Sequence, residues 1–194
     1  MNVDPRTQNL EIVTLDQEPM KSLENYFRLI DKVDELSRRI EDRFRDSISC
    51  VRGCDACCRH LTLFPVEGAA LALALKELDP DSADHIRSRA RGALPDGPCP
   101  LLKDGACLLY RARPLICRTH GLPLLTASEG KKRIDFCPEN FRGLDSLPGD
   151  AVIDLDLLNS ALAAINSLFV REAFPQAPIE LRISIAESLL WKDG

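Results

Sequence analysis

The sequence is poor in several things, and each shortage removes a class of function. Positive charge is not in excess: 25 Lys and Arg stand against 30 Asp and Glu, for a net charge of −5. Proteins that grip phosphate backbones usually carry a basic surplus, so nucleic acid is not an expected partner. No apolar run approaches the roughly 18 residues of a membrane-spanning helix. The opening MNVDPRTQNLEIV has neither the charged start nor the apolar stretch of a secretory leader, so a cytoplasmic location is expected. Histidine occurs only three times, and aromatic residues make up 5%. Also missing are the G-x-S-x-G elbow, the G-x-x-x-x-G-K-[ST] loop, the H-E-x-x-H helix and the G-x-G-x-x-G turn. These absences argue against the common serine hydrolases, P-loop nucleotidases, zinc metalloproteases and dinucleotide enzymes. There is no internal repeat and no low-complexity tract.

What the chain does have is cysteine, eight in 194 residues. A reducing compartment keeps thiols unpaired, so a disulfide framework does not account for them. Buried structural cysteines explain one or two. The rest call for a metal.

The length suits one domain over 1–194, and an apolar fraction of 45% is enough for a core. EIVTL (11–15) reads as an edge strand or a segment draped over the fold. A long helix is expected over 19–49, because Leu23, Phe27, Ile30, Val33, Leu36, Ile40, Phe44 and Ile48 form one stripe at helical spacing. Its other face, with Glu24, Asp31, Glu35, Arg38, Glu41, Asp42 and Arg45, reads as solvated. Pro65 opens VEGAALALALKEL, which is apolar nearly all round and is expected to be a buried central helix. SADHIRSRARGAL follows as a shorter, more exposed one. A cysteine-bearing core spans 50–140, with a small hairpin in LPLLTASEGKKRIDF turning at 128–130. C-terminal helices are expected over 150–194: one with a seam of Leu155, Leu158, Leu162, Ile165 and Phe169, and a last one over IELRISIAESLLW. The fold class is mainly α, a helical bundle around an irregular cysteine-rich loop region with a small β-hairpin.

The cysteines fall into two regions. Cys50, Cys54, Cys57 and Cys58 are close enough in sequence for one turn to gather three sulfurs into a small volume. Adjacent side chains diverge, so Cys57 and Cys58 are expected to divide between two tasks. Cys99, Cys107, Cys117 and Cys137 are widely spaced and meet only if the fold brings them together. Eight thiolates supply two four-coordinate sites, or one Cys₄ cluster with four to spare. Thiolate donors suit zinc, iron–sulfur clusters or copper(I), and an iron–sulfur cluster or Zn2+ are the two leading choices. His60 and His120 lie near cysteines in sequence and are expected to hydrogen-bond there without ligating, while His85 reads as surface. Residues 50–120 hold 10 Lys and Arg against 8 Asp and Glu. Arg52, Arg59, Arg113 and Arg118 flank the cysteines and could offset thiolate charge, or simply cap the loop. Tyr110 reads as a core residue or one beside the ligands. Arg87, Arg89 and Arg91, like Lys131, Lys132 and Arg133, read as solvated faces.

Cys50-x₃-Cys54-x₂-Cys57-Cys58, Cys99-Pro100-Leu101-Leu102, Gly105-x-Cys107, Tyr110, Arg113-Pro114-x-x-Cys117-Arg118 and Cys137-Pro138 together resemble the YkgJ-type cysteine-cluster family. The resemblance covers about residues 50 to 140 and implies a zinc- or iron-chelating domain, described among its members as an Fe–S-cluster protein or oxidoreductase. It makes all eight cysteines candidate metal ligands, with Arg113, Arg118 and Tyr110 beside them. Four functions compete: a redox metal protein, a structural zinc site in a partner-binding module, a metal chaperone, and a thiol redox switch. The long helices would serve a protein partner or a second copy of the chain.

Overall fold

The computed structural model describes residues 21–51, 53–128, 130–144 and 146–191. The expected strand at 11–15, the helix start near Pro19, Arg52 and the hairpin residue Glu129 lie outside them.

Helix α1 (Lys21–Arg43) buries Leu23, Tyr26, Ile30, Val33, Ser37 and Ile40. The face is the expected one, but its phase differs by a residue at one point. Tyr26 turns inward, and Phe27, placed on the stripe by its spacing, is 44% exposed. The helix also stops short of residue 49. A 3₁₀ turn covers Arg45–Ser47, and beyond it the backbone bonds sideways, not to its own preceding turn. The Ser47 carbonyl accepts from the Phe141 amide, and the Ser49 amide donates to the Asn140 side chain. Phe44 and Ile48 still pack on the core.

A two-residue strand, β1 (Thr62–Leu63), leads into α2 (Pro65–Lys76), which is buried along nearly its whole length, as expected. Its first turn is held by two buried side chains. Asn166 Oδ1 accepts from the Val66 amide, and the Glu67 carboxylate accepts from the Phe64 amide. Helix α3 (Pro80–Arg91) starts at an Asp79 cap and buries only Ala83, Ile86 and Ala90. Next come β2 (Leu102–Lys103) and β3 (Ala106–Cys107), paired antiparallel, and the short α4 (Leu115–Thr119). The expected hairpin is present as β4 (Leu124–Ser128) and β5 (Lys131–Asp135).

The sheet content exceeds that hairpin. β6 (Ile153–Asp154) adds to β4 in parallel, and Asp154 then caps α5 (Leu155–Ala173). The last predicted helix is also shorter than its apolar pattern suggests. Ile183–Ser184 form β7, antiparallel to β1, and only Ile185–Leu189 make α6. The boundary is set by Ser184, whose hydroxyl accepts from the Glu187 amide while Glu187 accepts from the Ser184 amide.

Helix α2 stands between two apolar clusters. One joins α1, α4 and α5 around Tyr26, Val66 and Phe169. The other joins α3, α6 and the 101–109 segment around Leu71, Ile86 and Leu101. The cysteine loops lie along the second cluster and against the end of α1. Among the described residues, no helix is long and apolar enough to cross a membrane.

Candidate metal centre

Three loops converge on the cysteines, and backbone contacts set their spacing. The Gly53 amide donates to the Gly105 carbonyl at 3.1 Å. Gly105 has φ +70, and a Cβ there would lie 2.8 Å from the Gly53 Cα, so the turn of the β2–β3 hairpin accepts only glycine at this contact. The Cys99 amide donates to the Cys58 carbonyl at 3.0 Å, and Arg59 pairs with Pro98 as an isolated bridge. Arg89, expected on a solvated face, instead sends its guanidinium to the Pro100 and Leu102 carbonyls and ties α3 to the same hairpin.

The result is an inner group of Cys58, Cys99, Cys107 and Cys117. Burial pushes the Cys117 thiol up to about 12, with Cys99, Cys107 and Cys58 adding to the shift and Arg113 opposing it. Burial pushes the Cys99 thiol up to about 11, against the Leu101 amide and with Cys107 and Cys58 adding. Cys107 and Cys58 are also raised, first by burial. The Leu109 amide and Arg113 oppose the shift at Cys107, and Cys107 is among the groups that raise Cys58. Cys117 therefore senses the other three, Cys99 senses Cys107 and Cys58, and Cys58 senses Cys107. At Cys99 and Cys107 the backbone amide two residues on opposes the upward shift, an influence that favours the thiolate once a cation compensates its burial.

Cys50 and Cys137 lie apart from that group and close to each other. Gly121, at φ +88, is the floor between them: a Cβ there would sit 3.3 Å from Cys50 Sγ and 3.5 Å from Cys137 Cβ. Asn140 is 1% exposed and organises this corner. Its Oδ1 accepts from the Ser49 amide at 2.9 Å, and its Nδ2 donates to the Gly121 carbonyl at 2.8 Å and to Cys50 Sγ at 3.4 Å. Burial raises the Cys50 thiol, the Asn140 bond opposes this, and Cys137 and Cys54 add to it. Cys54 and Cys57 occupy the exposed turn between the two groups. Burial raises Cys57 as well, with Cys58 and Cys50 adding. Cys57 and Cys58 act on each other directly, each among the groups that shift the other, while Cys57 also senses Cys50 and Cys58 senses Cys107.

The flanking residues part company. Arg113 stacks over the Tyr110 ring at 3.7 Å and donates to the Cys117 carbonyl at 3.2 Å, and its charge favours thiolates at Cys107 and Cys117. Arg118 points away from the sulfurs. It is buried, forks onto both Asp34 oxygens at 2.7 and 2.5 Å, and donates to the Arg113 and Arg111 carbonyls. It clasps α4 to α1. Tyr110 is 60% exposed, which corrects the core assignment. Its ring serves as a platform for Arg113 at the surface. Both His60 nitrogens are occupied: Nδ1 bonds the Leu94 carbonyl at 2.7 Å and Nε2 accepts from the Ala186 amide at 3.2 Å. That fixes the neutral tautomer with no nitrogen left for a metal. His85 and His120 are exposed.

Residues 49–138 match the family CxxCxxCC, described as "Putative zinc- or iron-chelating domain". Over this segment the chain is similar to that family. No curated protein and no solved structure matches the chain.

The donor set fits such a domain. All eight thiols in and around the CxxCxxCC loops are free, and soft sulfur donors suit zinc and iron. Among the described residues, no three His, Cys, Asp or Glu side chains already stand at metal-holding geometry. Asn140 was not legible in the sequence: it stands three positions after Cys137, outside every cysteine spacing, and a buried carboxamide there has no pattern to announce it.

Proposed function

We propose that the chain is a metal-binding protein that holds zinc or iron through cysteine thiolates in two groups: Cys58, Cys99, Cys107 and Cys117 in one, and Cys50, Cys54, Cys57 and Cys137 in the other. The observation that carries this reading is the inner group. Four thiols from separated segments share one partly buried neighbourhood, where backbone amides favour the thiolate at Cys99 and Cys107 and the Arg113 guanidinium favours it at Cys107 and Cys117. Donors that favour an anion are of no use to neutral thiols and are what a metal-bound tetrathiolate needs. Arg113 offsets part of the charge of that ligand set. Arg118, through Asp34 and two carbonyls, holds the segment that delivers Cys117. Bound zinc with four thiolates would brace the loops, and a bound iron–sulfur cluster would carry electrons.

The test is elemental analysis and an optical spectrum of protein purified without oxygen. Zinc at about one or two ions per chain and no colour assigns the bracing role, consistent with four thiolates per ion. Iron with sulfide and visible charge-transfer absorption assigns the electron-carrying role. The Cys99→Ser/Cys117→Ser double variant loses the inner ion in either case. Wild-type protein that holds no metal and instead pairs its cysteines reversibly overturns the proposal in favour of a thiol switch.

A further inference from the structure

We infer that the two cysteine groups are unequal, and that Cys50, Cys54, Cys57 and Cys137 form an exchange site for a thiophilic ion, while Cys58, Cys99, Cys107 and Cys117 retain theirs. The inference rests on the proposed metal-binding reading and deepens it.

The contrast is in how each sulfur is held. In the inner group every cysteine is at least half-enclosed, and Cys99 and Cys107 pack on the apolar cluster of Leu101 and Leu109. Their backbone is tied on several sides. Cys99 bonds to Cys58, the Leu102 amide to the Cys99 carbonyl, Cys107 pairs with Leu102 in the β2–β3 ladder, and the Cys117 amide bonds to the Pro114 carbonyl. The Glu67 carboxylate also accepts from the Leu115 amide, so the start of α4 is fixed from below. A competing ligand would have to approach past Arg113, stacked on Tyr110, on one side and the second core cluster on the other.

The outer group is half anchored and half open. Asn140 and Gly121 fix Cys50 and Cys137 in one corner. Cys54 and Cys57 sit opposite them on an exposed turn beside Gly53, where a Cβ would meet nothing within 4 Å. Cys50 and Cys137 therefore keep the position of the site, while Cys50, Cys54 and Cys57 are all within reach of solvent. Exchange needs no redox partner. A low-molecular-weight thiol bonds to the ion as Cys54 or Cys57 releases it, and the proton lost by the incoming thiol passes to the departing cysteine.

The test uses the full-length, reduced, zinc-loaded protein and a coloured chelator as the probe. Two phases of release are expected, each of about one ion, from eight thiolates at four per ion. Cys54→Ser/Cys57→Ser should lose the fast phase and keep the slow one. On the unaltered loaded protein, iodoacetamide followed by peptide mass spectrometry should label Cys54 and Cys57 before Cys99 and Cys117. This second readout does not depend on any variant folding. Release in a single phase, a fast phase that survives the double substitution, or labelling in the reverse order overturns the inference while leaving metal binding intact. Failure of the wild-type chain to retain any zinc or iron overturns the underlying reading instead.

Discussion

Replacing Asn140 with Asp is the sharpest single test of how the outer corner is built. The carboxamide has two backbone partners that fix its orientation: the Ser49 amide must face Oδ1, and the Gly121 carbonyl must face Nδ2. The remaining Nδ2 hydrogen then points at Cys50 Sγ, 3.4 Å away. Aspartate has almost the same shape and keeps the bond from Ser49. It removes both donors and sets an oxygen against the Gly121 carbonyl and the sulfur. A buried acceptor left without its donor costs about 1–3 kcal/mol. The Gly121 carbonyl keeps one weak partner, the Cys137 amide at 3.4 Å, which puts its share at the lower end. The Cys50 thiol, which also donates to Oδ1 at 3.7 Å, keeps an acceptor in the metal-free protein. Adding the burial of a carboxyl that must stay protonated or pay desolvation, the expected loss is about 2–4 kcal/mol. Urea unfolding of the reduced, metal-free protein measures that term alone. Chelator competition then measures the second consequence, a fall of about 10–100-fold in affinity at the outer site, the usual effect of losing a partner that orients a ligand. A variant within about 0.5 kcal/mol of wild type, the range of an ordinary surface change, with unaltered zinc affinity, would refute the claim that Asn140 positions Cys50.

Three further outcomes follow from the same geometry. Arg118→Ala removes a guanidinium that is 7% exposed and strands Asp34 and two carbonyls; because Asp34 is 37% exposed, thermal or urea unfolding should show a loss near the lower end of the range for a broken buried pair, about 3 kcal/mol, which Lys in its place should not restore. Arg113→Ala should cost under about 1 kcal/mol of stability, since its contacts are at the surface, yet weaken inner-site zinc affinity in chelator competition because the charge that favours thiolates at Cys107 and Cys117 is gone. Burial holds the Glu67 carboxyl above its ordinary value of 4.5, so its folded form binds a proton more tightly than its unfolded form; the stability it provides is full below that value and is lost as pH rises through the raised one, and wild type should therefore lose stability relative to Glu67→Gln between pH 4.5 and neutrality, a flat difference counting against the assignment.

Much of the helical frame could be read from local rules. Asp79 and Pro80 mark the start of α3, Pro65 that of α2, and the near-continuous apolar run of α2 marks a helix buried on all sides. Local rules failed where a distant segment decides. The choice between Tyr26 and Phe27 for the core face depends on what α1 packs against, and the early end of α1 depends on residues 140 and 141. Ile183 and Ser184 read as the start of a helix by pattern, and become a strand because Leu63 and Thr62 offer a ladder. Two-residue strands carry too few residues for any alternation to show.

The metal site divides along the same line, and here the division explains the function. Spacing identified eight thiols, but its expectation that Cys57 and Cys58 diverge does not separate them, since the two thiols act on each other directly. It could not group Cys99, Cys107 and Cys117, since nothing local joins residues so far apart. Their grouping is made by the Gly53–Gly105 contact, by the Cys58–Cys99 backbone bond and by α4, which Glu67 and Arg118 fix from opposite sides. Nor could sequence separate Arg113 from Arg118, two basic residues placed on either side of Cys117. Only the presence of Asp34 on α1 draws Arg118 into the core and leaves Arg113 to the sulfurs. The ligands are thus written locally and their grouping globally: the cysteine pattern selects a class of metal, and the packing of α1, α2 and α4 decides which thiols are enclosed and which stay open to exchange.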